Sequence, residues 1–389
     1  MTRTRVRLGD VLEVQSGFAF KTEFFTQSEG VPLIRIRDLP NAETKINYSG
    51  PFRDEFLVRN GDYLIGMDGA FECYRWKGER ALLNQRVCRL RNFHHTIDPE
   101  YVHFGIQREL REIENTTAFV TVKHISAGQI ANINFPCPPL SEQRRIVDIL
   151  SRAESIVRLR REAQKKAAEL IPALFTDLFG DPATNPKGWA VDELPNVLYR
   201  AFKNGLYLPK ELYANADSAQ GVEMVHMSDA FYGEVKRGEL RRVLASEKQI
   251  DEYGLTRNDL LVARRSLTFD GAAKLCGLPA SNDPLLFESS FIRLSPDLNK
   301  VRTQYLLYYL NNDNTRRAHV LSRITGITIS GINQAALSHV PVMIPPLAAQ
   351  DSFVRHLDAV RAIQSQQTTA TTQAEAAFNA LLAQVFAPV

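Results

Sequence analysis

The sequence predicts an α+β fold. Two mixed α/β modules in a pseudo two-fold arrangement are separated by two long antiparallel coiled-coil helices. Three observations predict it. The segment Pro138-Pro139-Leu140 returns as Pro345-Pro346-Leu347, 207 residues later. Around it the chain matches itself without a gap, from about Thr116 against Arg323 to Phe179 against Phe386. After each Pro-Pro turn, apolar residues recur with the 3-4 spacing of a coiled coil. A repeat this long exceeds the roughly 20–50 residues of solenoid units, so it reads as a duplicated domain.

Upstream of the turns the two halves still match, with small shifts that mark loop insertions. Gly30-Val31-Pro32-Leu33-Ile34-Arg35 lines up with Gly221-Val222-Glu223-Met224-Val225-His226. Residues 60–65 line up with 257–262, and 83–90 with 287–294. Hydrophobic positions are kept and polar ones vary: one fold is used twice, with different surfaces. The runs 33–37, 63–65, 260–262 and 291–294 are short, apolar or alternating, and bounded by Gly, Asp and Pro, as strands are. Residues 101–111 and 303–310 read as helices late in each module. The expected boundaries are 1–137 for the first module and 138–180 for the first long helix. The second module is expected over 181–344 and the second long helix over 345–389.

The Pro-Pro pairs stop the preceding strand and start each long helix, with Ser141 as a capping candidate. The expected seam of the first helix is Ile146, Ile149, Ala153, Ile156, Arg160, Ala163, Ala167, Leu170 and Leu174. The second carries Phe353, His356, Val360, Ile363, Gln367, Ala370, Ala374, Ala377 and Leu381 in the same register. About 40 residues at 1.5 Å each give a length of roughly 60 Å. Pro172 is expected to kink the first helix near its end. Surface helices of two separate domains are the competing reading, but matched length and register favour a pair. An antiparallel pair places the two modules at opposite ends. That geometry suits two DNA half-sites read in opposite orientations along one duplex.

Composition narrows the class. The 389 residues are 44% hydrophobic and 23% charged, enough for more than one core. At about 100–200 residues per domain this gives two or three domains. A net charge of +3 neither requires nor excludes nucleic acid, so the placement of the charge matters. Cys73, Cys88, Cys137 and Cys276 form no C-x-x-C pair, which argues against a disulfide framework or zinc site and for a cytoplasmic location. No stretch is apolar and long enough to span a membrane.

Catalytic machinery is not legible. No G-x-x-x-x-G-K-[ST] phosphate loop is present, no Gly-rich cofactor loop follows a strand, and no N-P-P-aromatic motif stands ready for a flipped adenine. Glu234-Val235-Lys236 has the E-x-K spacing of some metal-dependent nucleases but lacks a convincing Pro-Asp partner. His94-His95 sits in a polar loop rather than a metal-ligand set.

What remains is a set of basic and hydrogen-bonding residues in predicted loops and strand ends. In the first module these are Lys21, Arg35, Arg37, Arg75, Lys77, Arg86, Thr121, Lys123 and His124. In the second they are His226, Ser228, Lys236, Arg237, Arg264, Arg265, Lys274, Thr328 and Ser330. Any one of them reads most simply as a solvated charge, but together they suit phosphates and base edges. Thr121-Val122-Lys123-His124-Ile125 and Thr328-Ile329-Ser330-Gly331-Ile332 occupy matching positions with different polar residues, as two distinct half-site readers require.

The order and duplication of these motifs resemble the specificity (S) subunit of type I restriction–modification enzymes. The resemblance covers essentially the whole chain. It rests on the doubled Pro-Pro-Leu-x-x-Gln turn, the Leu8-Gly9-Asp10-Val11 opening, the strand from Gly30 to Arg35, the Asn60 to Ile65 segment and the Thr121 to Ser126 stretch. It implies a non-catalytic DNA-binding protein with two target-recognition domains, each reading half of a bipartite sequence. The helices would set the spacer. Two methyltransferase (M) subunits, and restriction (R) subunits, would be its partners. S-adenosylmethionine, Mg2+ and ATP would belong to those partners, with no cofactor in this chain. The second turn departs from the first, with Ala348-Ala349 in place of Ser141-Glu142. The same design would serve a type IIB-like or other phage-defence methyltransferase complex. A stand-alone nuclease is disfavoured by the missing motifs, and a coiled-coil scaffold without a DNA role is a further alternative.

Overall fold

The computed structural model describes residues 4–116, 123–214, 220–230, 235–281, 283–326 and 328–387. The chain divides into two compact units. One comprises residues 1–163 and 368–389, the other 164–367.

In the first unit an antiparallel sheet runs in the order Glu13–Ser16, Val87–Arg91, Tyr63–Gly66, Cys73–Arg75. A second sheet of short strands has Val31–Ile34 parallel to Ala81–Leu83, flanked by Leu57–Val58 and Asn47–Tyr48. The second unit repeats both. Its antiparallel sheet runs Leu198–Asn204, Phe291–Pro296, Leu260–Ala263, Leu275–Gly277. Its smaller sheet has Val222–Val225 parallel to Leu285–Phe287. The strand pairs whose register is offset in sequence therefore occupy equivalent places.

Strand periodicity explains where the cores lie. Successive side chains point to opposite faces, so Tyr63 and Ile65 join the cluster that includes Tyr101, Phe135 and Ile146. Leu64 joins the cluster of Ile34, Trp76 and Val87 on the other face. Leu260 and Val262 likewise face Phe175, Tyr305 and Phe353, while Leu261 and Ala263 face Val225 and Phe287. Both faces are covered, which is why these strands read as continuous apolar runs. Gly17 and Gly205 hold equivalent close approaches. A Cβ at either would lie 2.0 Å from a backbone oxygen, that of Asn84 or of Glu288.

The predicted late helices are Pro99–Thr116 and Thr303–Asn311. The long helices are Leu140–Phe179 and Leu347–Phe386, 40 residues each. The first begins before Ser141, which lies in its first turn rather than at its cap, and it continues through Pro172.

The seam expected for these helices is corrected at several alternate positions. Ile146 and Ala167 are buried as expected, but Leu150, Val157 and Ile171 are buried in place of Ile149, Ile156 and Leu170, which are exposed. In the second helix Leu357 and Thr371 are buried, and His356 and Ile363 are exposed. The shift is one residue in both helices. In the first helix the physical reason is that Ile149-Leu150, Ile156-Val157 and Leu170-Ile171 each offer two adjacent apolar residues, and packing chooses the later one. In the second, the shift turns Leu357 inward and His356 outward. Within the first unit, Arg161 pairs with Glu375 at 2.7 Å, and Phe386 packs in the cluster that holds Ile146 and Leu150. Within the second, the Gln364 side chain donates to the Ala167 carbonyl at 2.8 Å, while the Phe175 and Phe353 rings are 5.6 Å apart. In each unit the two helix segments run antiparallel.

A buried glutamine fixes each long helix to its module. Gln143 Nε2 donates to the carbonyls of Pro138 and Thr96 at 2.7 and 2.9 Å, and its Oε1 accepts from Asp98 N at 2.8 Å. Gln350 Nε2 donates to Pro345 and Lys300 at 2.8 and 3.0 Å, and its Oε1 accepts from Arg302 N at 2.7 Å.

Candidate nucleic-acid interface

The two segments singled out before the long helices return to the rim of each antiparallel sheet, on equivalent main-chain frames. In the first unit Met67 N donates to Arg86 O at 2.9 Å and Ile125 N donates to Met67 O at 2.9 Å, with Asp68 and His124 bridged antiparallel. In the second unit Arg264 N donates to Ser290 O at 2.8 Å, Ile332 N donates to Arg264 O at 3.0 Å, and Arg265 pairs with Gly331. The backbone is the same and the side chains are not. Where the first unit has Asp68, Arg86, Lys123 and His124, the second has Arg265, Ser290, Ser330 and Gly331.

In the first unit the Asp68 carboxylate accepts from Arg86 Nη1 at 2.7 Å through one oxygen, and its other oxygen lies 2.6 Å from His124 Nδ1. Arg86 and His124 are about half exposed. Lys123 Nζ lies 3.0 Å from Glu114 Oε1, and this hydrogen bond holds the Glu114 carboxyl below its ordinary range. In the second unit the corresponding surface is a shallow groove of about 360 Å³ lined by Arg264, Arg265, Thr325, Ile329, Ser330 and Asn333. Arg265 and Thr328 are exposed, Arg264 is half-buried against the Ser289 carbonyl, and Ser330 is buried.

The remaining predicted residues are dispersed. Lys21 is exposed beside Glu23, and Arg37 is exposed. Arg35 turns inward, with its Nε 3.6 Å from Asp38. Arg75 and Lys77 line a polar cavity of about 620 Å³ with Glu100, His103, Arg111 and Glu154, where acids offset the cations. Ser228 and Lys236 are exposed. Arg237 is engaged by Glu223. Lys274 lies 2.8 Å from Asp270. Thr121 and Glu234 fall outside the described residues.

His226 is not on the surface. It is 3% exposed, with Nδ1 3.0 Å from the Met224 carbonyl and Nε2 3.1 Å from the Tyr213 hydroxyl. Burial holds its pKa below the ordinary imidazole value, with the nearby Arg241 acting in the same direction. Its imidazole braces the module and is not presented to a partner.

Sequence reasoning missed Asp68, because only basic and neutral donors were sought. It also missed the projecting segment between Arg265 and Lys274, whose Leu267 is 85% exposed. Buried Arg316 supports that segment from below by donating to the Asp270 and Ala272 carbonyls at 2.8 and 2.9 Å. The signal was an apolar pair, Leu267 and Phe269, between two basic residues.

The surface can bind; its thiols are poorly placed to react. Cys73, Cys88 and Cys276 are buried, and burial pushes the Cys88 and Cys276 thiols up to about 12. Among the described residues no group of His, Cys, Asp or Glu is placed to hold a metal ion. No helix of the described residues is long and apolar enough to cross a membrane.

A family model described as type I restriction modification DNA specificity domain matches residues 3–169 and 186–375. The chain is 27% identical to the type I restriction enzyme EcoBI specificity subunit of Escherichia coli, across 98% of this chain and 85% of that one. It is 26% identical to the StySPI specificity subunit of Salmonella potsdam, across 75% of this chain and 65% of that one. Its fold is similar to that of a type I restriction–modification S subunit from M. genitalium. The TM-score is 0.57 at 13% identity, covering 100% of this chain and 97% of that one. A second structure, from work on the complex assembly of a type I system, matches with a TM-score of 0.58 at 20% identity, covering 99% and 98%.

Proposed function

Since the chain belongs to the type I restriction–modification DNA specificity family, we propose that it reads a bipartite DNA target, one half-site with each module, and directs partner methyltransferase and restriction subunits to it. The observation that carries this reading is the doubled main-chain frame at residues 67, 86 and 125 and at 264, 290 and 332, which presents different side chains. One fold with two surfaces is what reading two different half-sites demands. Base edges are distinguished by hydrogen-bonding side chains, and phosphates by cations that carry no sequence information. Arg86, Lys123 and His124 serve in the first module; Arg264, Arg265 and Thr328 serve in the second. Lys21, Arg37, Lys236 and Lys274 suit backbone phosphates.

The chain contributes no chemistry of its own in this reading. Methyl transfer to adenine, with S-adenosylmethionine, and ATP-dependent cleavage, with Mg2+, reside in the partners. Two methyltransferase subunits dock on the long helices. Ile149, Ile156 and Leu159 support this, because they leave 40–55% of their surface exposed on the first helix, outside the seam. Contiguous exposed apolar residues mark surfaces that another protein covers.

The test is adenine-methylation mapping of DNA from cells that express the chain with its methyltransferase partner. A bipartite motif with a fixed gap is expected. Replacing residues 1–137 by the corresponding module of a relative should alter one side of it only. A single uninterrupted motif, or one altered on both sides, overturns the two-reader mechanism.

A further inference from the structure

Arg86, Asp68 and His124 form a linked cluster, and at the matching positions the second unit has Ser290, Arg265 and Gly331. Asp68 follows the strand Tyr63–Gly66, Arg86 precedes the strand Val87–Arg91, and His124 bridges to Asp68. The two oxygens of one carboxylate hold the guanidinium at 2.7 Å and the imidazole at 2.6 Å. Asp68 is 21% exposed, against 56% for Arg86 and 48% for His124, so the acid lies beneath and the two nitrogen groups face outward.

This geometry decides what the cluster can bind. Both Asp68 oxygens are engaged by Arg86 and His124, so the exposed face of the cluster offers nitrogens. Arg86 spends one N–H on Asp68 and keeps the rest of a rigid donor fork, whose orientation the carboxylate sets. The carboxylate also cancels the local charge of the guanidinium. That weakens attraction to a phosphate, which is mainly electrostatic, and leaves directional hydrogen bonding as the stronger attraction. In the major groove, guanine presents two adjacent acceptors, N7 and O6, and a guanidinium fork matches them bidentately.

We propose that Arg86 reads a guanine in the half-site bound by the first module, with Asp68 as its positioning residue. This rests on the reading of the chain as a two-module DNA-specificity protein. The His124 ring donates through Nδ1 to Asp68, so its neutral form turns the acceptor Nε2 outward. That acceptor suits a base amino group, the cytosine N4 of the same pair among them. In the second module Arg265 stands where Asp68 does and Gly331 where His124 does, so that half-site is read by other means.

The experiment uses the full chain assembled with its methyltransferase partner. The motif of the wild-type complex is mapped first. Binding is then measured on a panel of duplexes, each with one base pair of the motif changed, for wild type, Arg86→Ala, Arg86→Lys and Asp68→Asn. Wild type should lose about ten-fold or more in affinity when one particular guanine of one half-site is replaced. Arg86→Ala should show no preference at that position and keep its preferences at all others, the second half-site included. Arg86→Lys should not restore the preference, because a point charge lacks the fork. Asp68→Asn should blunt it while leaving the second half-site untouched. Retained discrimination at the second half-site reports that each variant is folded and assembled.

An Arg86→Ala complex that still discriminates at every position overturns the proposal. So does one that loses affinity uniformly on all duplexes with a shallower salt dependence, which identifies a phosphate contact. A variant that binds no duplex at all, when Asp68→Asn keeps the full wild-type preference, also overturns it. If the wild-type complex yields no bipartite motif, the underlying two-module reading fails instead.

Discussion

Gln143 and Gln350 stand 207 residues apart and make the same three hydrogen bonds: two from Nε2 to carbonyls and one to Oε1 from a backbone N–H. Both side chains are fully buried. Each ties the Pro-Pro turn and the first turn of a long helix to the loop that opens Pro99–Thr116 or Thr303–Asn311. Gln143→Leu keeps the volume but leaves Asp98 N and the Thr96 and Pro138 carbonyls unpaired. Each buried polar group left unsatisfied costs about 1–3 kcal/mol. Denaturant unfolding should show a loss of at least that size for Gln143→Leu, and a similar loss for Gln350→Leu. A neutral result at either site would mean that water replaces the amide.

Gly17 and Gly205 are the other matched pair. An added methyl at either meets a backbone oxygen at 2.0 Å, and backbone cannot move aside as a flexible side chain can. Gly17→Ala and Gly205→Ala should each cost about 3 kcal/mol, at the upper end of overpacking penalties. Gly61→Ala adds a methyl with nothing within 4 Å. Its penalty is that of its positive φ alone, so it serves as the control in thermal unfolding.

His226 makes stability depend on pH. Its pKa is lowered in the folded protein, chiefly by burial, so the fold resists a proton that the unfolded chain accepts. At neutral pH both forms are largely unprotonated and no penalty arises. As pH falls below about 6.5, the unfolded imidazole value, the unfolded state gains protons first and stability declines. His226→Gln should flatten that part of the stability profile, over roughly pH 7.5 to 5.5. An unchanged slope would place the titration elsewhere.

Lys123 and Glu114 give the same sign at lower pH. The hydrogen bond from Lys123 lowers the Glu114 carboxyl pKa, so its contribution is present above about pH 4.3 and disappears as pH falls through the lowered value. Lys123→Met should raise the Glu114 titration midpoint toward the ordinary range, followed by carboxyl-carbon NMR. An unchanged midpoint would mean that the remaining neighbours of Glu114 set it.

The duplication was legible because packing preserves apolar positions while loops change length. The limits of the long helices were legible because proline stops a strand and starts a helix. The seam was legible only to one residue. Periodicity cannot choose between Ile149 and Leu150, or between Ile156 and Val157, without the partner surface. In the candidate interface, matching positions pointed to Lys123, His124 and Ser330, and charge pointed to Arg86, Arg264 and Arg265. Asp68 escaped because an acid is an unpromising neighbour for DNA until its two nitrogen partners are seen around it. His226 misled because a polar residue at a strand end resembles a surface residue, and only the Tyr213 hydroxyl and Met224 carbonyl reveal its role inside.

The bonds that shape both loci run between main-chain atoms, from Met67, Arg86 and Ile125 in one unit and from Arg264, Ser290 and Ile332 in the other. No side-chain atom takes part in them. Mutation can therefore rewrite the chemistry displayed there at little cost in folding, and inheritance of the fold is uncoupled from inheritance of the display. A gene that duplicated once carries two such displays. A lineage can change one and keep the other, generating new pairings by substitution or recombination at a pace the buried frame does not limit.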